Sequence, residues 1–393
     1  MCLATSTPCP RLRKVKIAVA RETREGEARV ALVPELVGRL TGLGYVVAVE
    51  PGAGLGSLHT DEDYLAAGAA VSEEPWEDAD LVVSVNPLDL DVLHRLPAGT
   101  STVSFLPVST SLDLVAELRE CGLTSFAMEL VPRISRAQSM DALSSQALVS
   151  GYRCAIVAAG LLRRFFPLNM TAAGTVPPAE VVVLGAGVAG LQAIATSRRR
   201  GAVVKASDVR AAAAEEIRSV GATAIELELE TLEGTGGYAR ELGEDRAQRQ
   251  RDLLAPYIAA ADALITTAAV PGRRAPLLVT TGMVEQMRPG SGVVDLAAES
   301  GGNVEGSRPG GIVRIGNAQV WGGANVPSQM PGPASRLYAQ NIVNIVTLMT
   351  REVDGAPAYA PDFEDEIVAG SCVTHDGVVR HEATRSALQE RTV

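Results

Sequence analysis

The sequence predicts an α/β protein built from two Rossmann-like domains with parallel sheets. Three observations predict it. Short apolar runs rich in β-branched residues alternate with segments of helical spacing along most of the chain. The composition is 47% hydrophobic but only 4% aromatic, with 38 glycines to turn the chain between elements. One apolar run, "VVVLG", opens directly into a glycine-rich turn at the start of a helix. The length of 393 residues suffices for two cores.

In chain order, "KVKIAVA" alternates as a strand, and "PELVGRLTGLG" has helical spacing and stops at Gly44. "YVVAVE" is a second strand, followed by the turn-rich "PGAGLGS". "ADLVVSV", "STVSFL" and "LTSFAME" are further strands, with "SLDLVAELRECG" between the last two as an amphipathic helix capped by a serine. Ala147 to Phe166 reads as a long bridging helix, and "TAAGTVPP" as the clearest linker. A second series, "VVVLG", "AVVKASD", "ADALITTA" and "GVVDLAA", alternates with helices from Glu180 onward. The tail from about Tyr338 begins with an apolar helix expected to pack back on the first domain. The expected division is 1–140 with 331–393 as one domain and 141–330 as the nucleotide-binding domain.

Composition narrows the function classes. Lys+Arg 35 against Asp+Glu 46 gives a net charge of −11, which argues against nucleic acid or anionic lipid as partners. Cysteines at 2, 9, 121, 154 and 372 have no CxxC spacing and read as reduced thiols of a cytoplasmic protein. Histidines at 59, 94, 375 and 381 lack metal-ligand spacing, so no metal is expected. "MCLATSTPCPRLRK" has no apolar core of a signal peptide, and no apolar run reaches the ~18 residues of a membrane span. The expectation is a soluble chain with no direct membrane insertion.

The most informative motif is "VVVLGAGVAGLQAIA", in which Gly185, Gly187 and Gly190 form GxGxxG around Val188. The first glycine makes a tight turn, the second lets the backbone approach a pyrophosphate, and the third permits close helix–strand packing. The next strand ends at Asp208, roughly 20 residues on, where a carboxylate accepts from a ribose 2′-hydroxyl and repels a 2′-phosphate. That pattern favours NAD(H) over NADP(H). Arg210, beyond Val209, tempers the preference, since its guanidinium can swing towards a phosphate.

"RISRAQSMDALSSQ", "TAAGTVPPAEVVVLGAGVAGLQAIAT", "GGYARE", "ITTAAVPGRRAPLLVT" and "VVDLAAESGGN" occur in that order, and together they resemble the NAD(H)-binding component of proton-translocating NAD(P) transhydrogenase. "DEIVAGSCVTHDGVV" resembles the form in which this component is a separate polypeptide. The resemblance implies a homodimer of two-domain chains with the dinucleotide in the cleft between the domains. It also implies hydride transfer from NADH to NADP+ held on a partner domain that binds NADP(H), and membrane subunits that conduct protons. Positioning is then the main catalytic effect, because no proton changes partner in the hydride step. Arg133, Gln138, Asp141 and Ser144 match the family's nicotinamide segment, with Gln138 placed to reach the partner's nucleotide. Gly237 and Tyr238 match a mobile closing loop, and Gln250 a further NAD contact. Ala269 stands where the family has a larger apolar residue beside the adenine. Asp295 and Glu299 read as strand-end and cap residues. Location follows the resemblance: cytoplasmic, peripheral on the inner face of the membrane.

The competing reading is a divergent stand-alone NAD-dependent dehydrogenase of the related alanine dehydrogenase type, acting on a small amino or oxo acid or imine. That chemistry needs a lysine and a histidine. Ser84 stands near the lysine place and Pro107 near the histidine place, and neither binds a carboxylate or shuttles a proton equivalently. The loop at 106–114, "LPVSTSLDL" from Leu106, also lacks the Gln-Asn pair common among transhydrogenases.

Overall fold

Runs of Val, Ile, Leu and Ala form the strands, and the glycines and caps between them set where helices start and stop. In a computed structural model, residues 14–210, 212–227, 243–270, 272–353 and 356–392 are described. They divide into two units. Unit 1 comprises the described residues up to Glu25, Arg29–Asp141 and those from Tyr338 onward; unit 2 comprises Gly26–Ala28 and Ala142–Leu337.

Unit 1 begins with β1 (Lys16–Val19), α1 (Pro34–Gly42), β2 (Val46–Val49), α2 (Asp61–Ala66) and β3 (Ala70–Val71). It continues with β4 (Leu81–Val83), α3 (Leu90–Leu93), β5 (Ser101–Ser104), α4 (Leu112–Glu120) and β6 (Thr124–Ala127). Pro34 opens α1 with its preset φ, and Gly44 leaves it at φ +88°. Thr60 and Asp63 close a reciprocal capping box on α2. Ser111 holds the cap position of α4 but makes no side-chain cap bond, contrary to the serine cap expected there.

Unit 2 opens on α5 (Ala142–Leu161) and the hairpin β7 (Asn169–Thr171) with β8 (Gly174–Val176). Then come β9 (Glu180–Leu184), α6 (Val188–Arg199), β10 (Val203–Ser207), α7 (Ala213–Ser219) and β11 (Thr223–Ala224). They are followed by α8 (Glu244–Ala260), β12 (Ala263–Thr266), α9 (Thr281–Glu285), β13 (Gly292–Asp295), β14 (Ile312–Ile315) and β15 (Ala318–Gly322). The helix α10 (Pro331–Leu348) carries the chain out of this unit. Two expectations are corrected. The helix α5 starts at Ala142 rather than Ala147 and ends at Leu161, and "TAAGTVPP" forms the turn and second strand of a hairpin rather than a linker.

Unit 1 is completed by the hairpin β16 (Thr350–Val353) with β17 (Ala356–Tyr359), then α11 (Glu366–Ser371), β18 (Cys372–His375), β19 (Val378–Val379) and α12 (Glu382–Thr392). Its sheet runs β19-β18-β6-β5-β4-β1-β2-β3; the first six strands of the chain pair in parallel, and β18 joins β6 antiparallel. The second sheet runs β11-β10-β9-β12-β13-β15-β14, parallel except for the edge strand β14. The fold is therefore α/β with parallel-dominated sheets, each carrying an antiparallel edge.

In unit 2, β9 leads by way of α6 to β10 on one side, whereas β12 lies on its other side. The loops after β9 and β12 thus part at their carboxyl ends, the place where open parallel sheets bind ligands. Packing supports this edge from below. Cys154, Ala155 and Ala158 of α5 are fully buried with Ala193 and Ile194 of α6. A Cβ on Gly151 would lie 2.1 Å from the Ala189 carbonyl oxygen, so the two helices meet backbone to backbone. Each fully buried valine, leucine or isoleucine of the sheet contributes roughly 1.5–3 kcal/mol.

Candidate functional site

The three glycines of the GxGxxG motif take the turn, the open approach and the close packing that their spacing predicts. Gly185 takes φ +99°, and a Cβ there would stand 2.7 Å from Thr267 Oγ1. Gly190 approaches so closely that a Cβ would lie 1.9 Å from the Gly185 carbonyl oxygen. Gly187 is different: nothing lies within 4 Å of its Cβ position. Open space above the second glycine, before a helix N-terminus without a side-chain cap, suits a pyrophosphate. Val188 follows, partly exposed, as the first residue of α6.

Asp208 is fastened to this turn. Its Oδ2 accepts from Ala186 N at 2.7 Å, and its Oδ1 accepts from Arg210 N at 2.9 Å and Arg210 Nε at 3.1 Å. Arg210 Nη2 donates in turn to the Ala186 carbonyl at 3.1 Å, and Glu216 lies 3.6 Å from the same nitrogen. The guanidinium expected to swing towards a phosphate is instead folded back between the carboxylate and the glycine turn. Arg210 Nη2 also reaches Asp208 Oδ2 at 3.4 Å, so the carboxylate's about four lone-pair sites are all engaged, and a ribose hydroxyl would displace this longest contact. Val209 lies half-buried between the two charged residues.

After β12, Thr267 Oγ1 donates to the Gly185 carbonyl at 3.2 Å, and Ala269 is exposed beyond it. Gln250, on α8, is buried, and its Oε1 has no hydrogen-bond partner among the described residues. A buried acceptor without a partner is costly and suits a site completed by a ligand. Gly237 and Tyr238 lie outside the described residues. Asp295, which the sequence suggests as a strand-end residue, is fully buried and accepts five hydrogen bonds, from Thr266 Oγ1, Ala297 N, Asn303 N, Val304 N and Ser307 Oγ. Glu299 accepts from Asn325 N at 2.9 Å.

The polar segment falls on both units. Arg133, Gln138 and Asp141 belong to unit 1, and Ser144 lies in the first turn of α5 in unit 2. Residues Ser135–Met140 form a 3-10 turn, and Asp141 N donates to the Gln138 carbonyl. Within unit 1 that turn is anchored by residues that sequence reasoning does not single out. Asn341 and Asn344 of α10 both donate to the Ser139 carbonyl, at 2.9 and 2.8 Å. Arg136 forms a bidentate pair with Asp365, which also caps α11 through Ile367 N. The guanidinium of Arg136 and these helix amides hold the Asp365 carboxyl below its ordinary range. With the turn fixed from behind, the Gln138 and Arg133 side chains stand exposed.

Two family descriptions match this chain: the N-terminal domain of alanine dehydrogenase/PNT over residues 18–150, and the C-terminal domain over residues 154–382. The chain belongs to the alanine dehydrogenase/PNT family. Among similar proteins, an NAD(P) transhydrogenase subunit alpha polypeptide of Rhodospirillum rubrum is 45% identical over 381 residues, covering 94% of this chain and 98% of that one. The NAD(P) transhydrogenase subunit alpha of Haemophilus influenzae is 42% identical, covering 92% of this chain and 71% of its own. A solved transhydrogenase structure from Sinorhizobium meliloti superposes with a TM-score of 0.84 at 42% identity, covering 93% of this chain and 99% of that one. The alanine dehydrogenase of Mycolicibacterium smegmatis is more distant, 30% identical over 95% of this chain and 96% of its own. An L-alanine dehydrogenase structure gives a TM-score of 0.78 at 25% identity, covering 96% of this chain and 99% of that one.

Within this alanine dehydrogenase/PNT family, the chain stands with the transhydrogenase alpha subunits, an oxidoreductase group, as the motifs indicate. The corresponding end of the unit 1 sheet agrees. Ser84 is buried, donates to the Asn86 carbonyl at 2.6 Å, and its own carbonyl accepts from Tyr338 OH. Glu22 binds Val85 N, Asn86 N and Asn86 Nδ2, lacing the loops after β1 and β4 together. Pro107 lies in an exposed turn, and Glu129 accepts from Leu106 N with both oxygens. Ser84, near the lysine place, is thus held in structural contacts, and Pro107, near the histidine place, has no side-chain donor or acceptor. Among the described residues, three potential metal ligands converge, His94, Glu117 and Cys121; His94 Nε2 and Glu117 Oε2 already pair at 2.9 Å. Among the described residues, no helix is long and apolar enough to cross a membrane.

Proposed function

We propose that this chain is the NAD(H)-binding subunit of a NAD(P) transhydrogenase, passing hydride between NADH and an NADP(H) held by a partner subunit. The observation that carries the reading is the glycine turn: Gly187 open, Gly185 and Gly190 closed, and Asp208 hydrogen-bonded to Ala186 N between them. Gly185, Gly187, Val188 and Gly190 hold the pyrophosphate, and Asp208 with Val209 takes the adenosine ribose. Ala269 and Gln250 flank the same nucleotide, as do Gly237 and Tyr238 by resemblance. NADH, once bound, supplies the hydride.

The chain's own residues have a positioning task. Arg133, Asp141 and Ser144 offer the guanidinium, carboxylate and hydroxyl that match a carboxamide and ribose hydroxyls. Gln138 is exposed, which suits a side chain that reaches a second nucleotide on another protein. Because no proton is exchanged in the hydride step, the site needs orientation and water exclusion rather than a tuned acid or base. The domain assignment follows: 141–330 is the dinucleotide-binding domain, and 1–140 with 331–393 is the other. The chain acts as a homodimer with an NADP(H)-binding domain and membrane subunits that conduct protons, peripheral on the inner face of the membrane.

Mixing the purified chain with a transhydrogenase NADP(H)-binding domain tests this. Hydride transfer from NADH to an NADP+ analogue of distinct absorbance is expected only when both proteins are present. Tight NADH binding with no transfer would return the assignment to a stand-alone dehydrogenase, to be screened with oxo acids and imines.

A further inference from the structure

The loop that follows β12 is tied at its neck by a single side chain. Asn303, fully buried, donates from Nδ2 to the carbonyls of Ala268 at 2.8 Å and Pro276 at 2.9 Å, and its Oδ1 accepts from Ala268 N at 3.0 Å. This one amide bridges Ala268 and Pro276, and Ala275 N adds a bond to the Ser300 carbonyl. Its backbone is held too: Asn303 N donates to Asp295 Oδ1, and its carbonyl accepts from Leu278 N and Val279 N. Behind it, Asp295 gathers donors from residues 266, 297, 303, 304 and 307, locking the carboxyl ends of β12 and β13 together.

In front of it, Ala268 N lies 3.1 Å from the Cβ position of Gly185, and Thr267 Oγ1 donates to the Gly185 carbonyl. A continuous relay thus runs from a buried carboxylate, through one amide, to the glycine turn. An aspartate at 303 cannot donate to two carbonyls, and an aliphatic residue would remove the side-chain partner of three backbone groups, Ala268 N and the Ala268 and Pro276 carbonyls.

We infer that Asn303, with Asp295 behind it, is a positioning residue for nucleotide binding: it sets Thr267–Ala269 against the glycine turn. The inference rests on the NAD(H) reading above. It assigns the pair to affinity for the adenosine half rather than to the rate of hydride transfer.

Asn303→Ala, Asn303→Ser and Asn303→Asp in the full chain test it, with the aspartate variant keeping the shape should alanine fail to fold. The readouts are Kd for NADH and for ADP-ribose, amide hydrogen exchange, and transfer rate at saturating NADH with the partner domain. The alanine and aspartate variants are expected to bind both ligands about tenfold more weakly, serine falling between. Exchange protection should fall at 267–278 alone, while the saturated rate stays within about twofold. Unchanged affinity despite a deprotected loop would overturn the inference, as would protection lost throughout unit 2. A wild-type chain that binds neither ligand would overturn the nucleotide reading itself, and this inference with it.

Discussion

Asp208 and Arg210 act as a pair, and under the proposed function the pair sets cofactor selectivity. The carboxylate offers acceptors to a ribose and also holds the guanidinium in the turn. Asp208→Ala removes the acceptors and loosens the arginine, which keeps only the Ala186 carbonyl and Glu216 beside it. NADH binding is expected to weaken about tenfold or more, as for a lost hydrogen bond to a charged group. The loosened guanidinium then matches a 2′-phosphate, so NADPH should gain relative to NADH, and adding Arg210→Ala should cancel that gain. Competitive titration with both nucleotides checks it; an unmoved preference would remove Asp208 from the ribose site. Gln138 makes the complementary case. Shortening it by one methylene in Gln138→Asn should slow hydride transfer far more than it weakens NADH binding, and equal losses would assign it plain binding. Asp208 is legible in the sequence because strand, turn and spacing announce it. The lock on Arg210 is not, because its carbonyl partner at Ala186 lies 24 residues away in the chain.

At the level of elements, the strands are the most legible features, since β-branched runs between glycine turns leave few alternatives. The elements that differ from expectation share a cause. The start of α5, "ALSSQ", puts polar side chains on its first turns, which hides its helical register. The hairpin β7–β8 is exposed along most of its length, so no alternation of buried residues marks it. Asp295 looks like a turn residue because its five donors are spread over 42 positions, from 266 to 307, and meet only in three dimensions. The 3-10 turn that presents Gln138 depends on Arg136, Asp365 and two asparagines of α10. Asp365 has a depressed pKa in the folded chain, chiefly through Arg136. Its contribution is therefore present above the ordinary carboxyl range near ~3.9 and is lost as pH falls through the lower folded value. Arg136→Ala should be less stable than wild type at neutral pH, with faster amide exchange at 135–140. The difference should close as the solution is acidified below that folded value. A gap that stays constant with pH would show that Arg136 works by packing alone.

For the whole molecule, family membership and sheet type are both written in ordered motifs, whereas the assembly is written only as a resemblance. The proposed homodimer can be tested at one exposed apolar segment. In the connection after α5, Phe165 and Leu168 are 57% and 52% exposed, and Met170 in the first strand of the hairpin is 72% exposed. Large apolar groups exposed this close in the chain are unfavourable in water, and covering them stabilises by roughly 25 cal/mol per Å² of apolar area. A copy of the same chain is the occupant that the homodimer reading requires, and a two-fold arrangement would cover both hairpins at once. Light scattering on the purified chain should then give twice the 40.9 kDa chain mass. Placing charge on the hairpin with Met170→Asp and Leu168→Asp should shift the population to monomer on dilution, because each buried carboxylate must shed its water without a partner. NADH affinity should stay within about twofold, since the glycine turn does not depend on the hairpin's surface. A wild-type chain that is monomeric at micromolar concentration, or a charged variant that stays dimeric, would place the interface elsewhere.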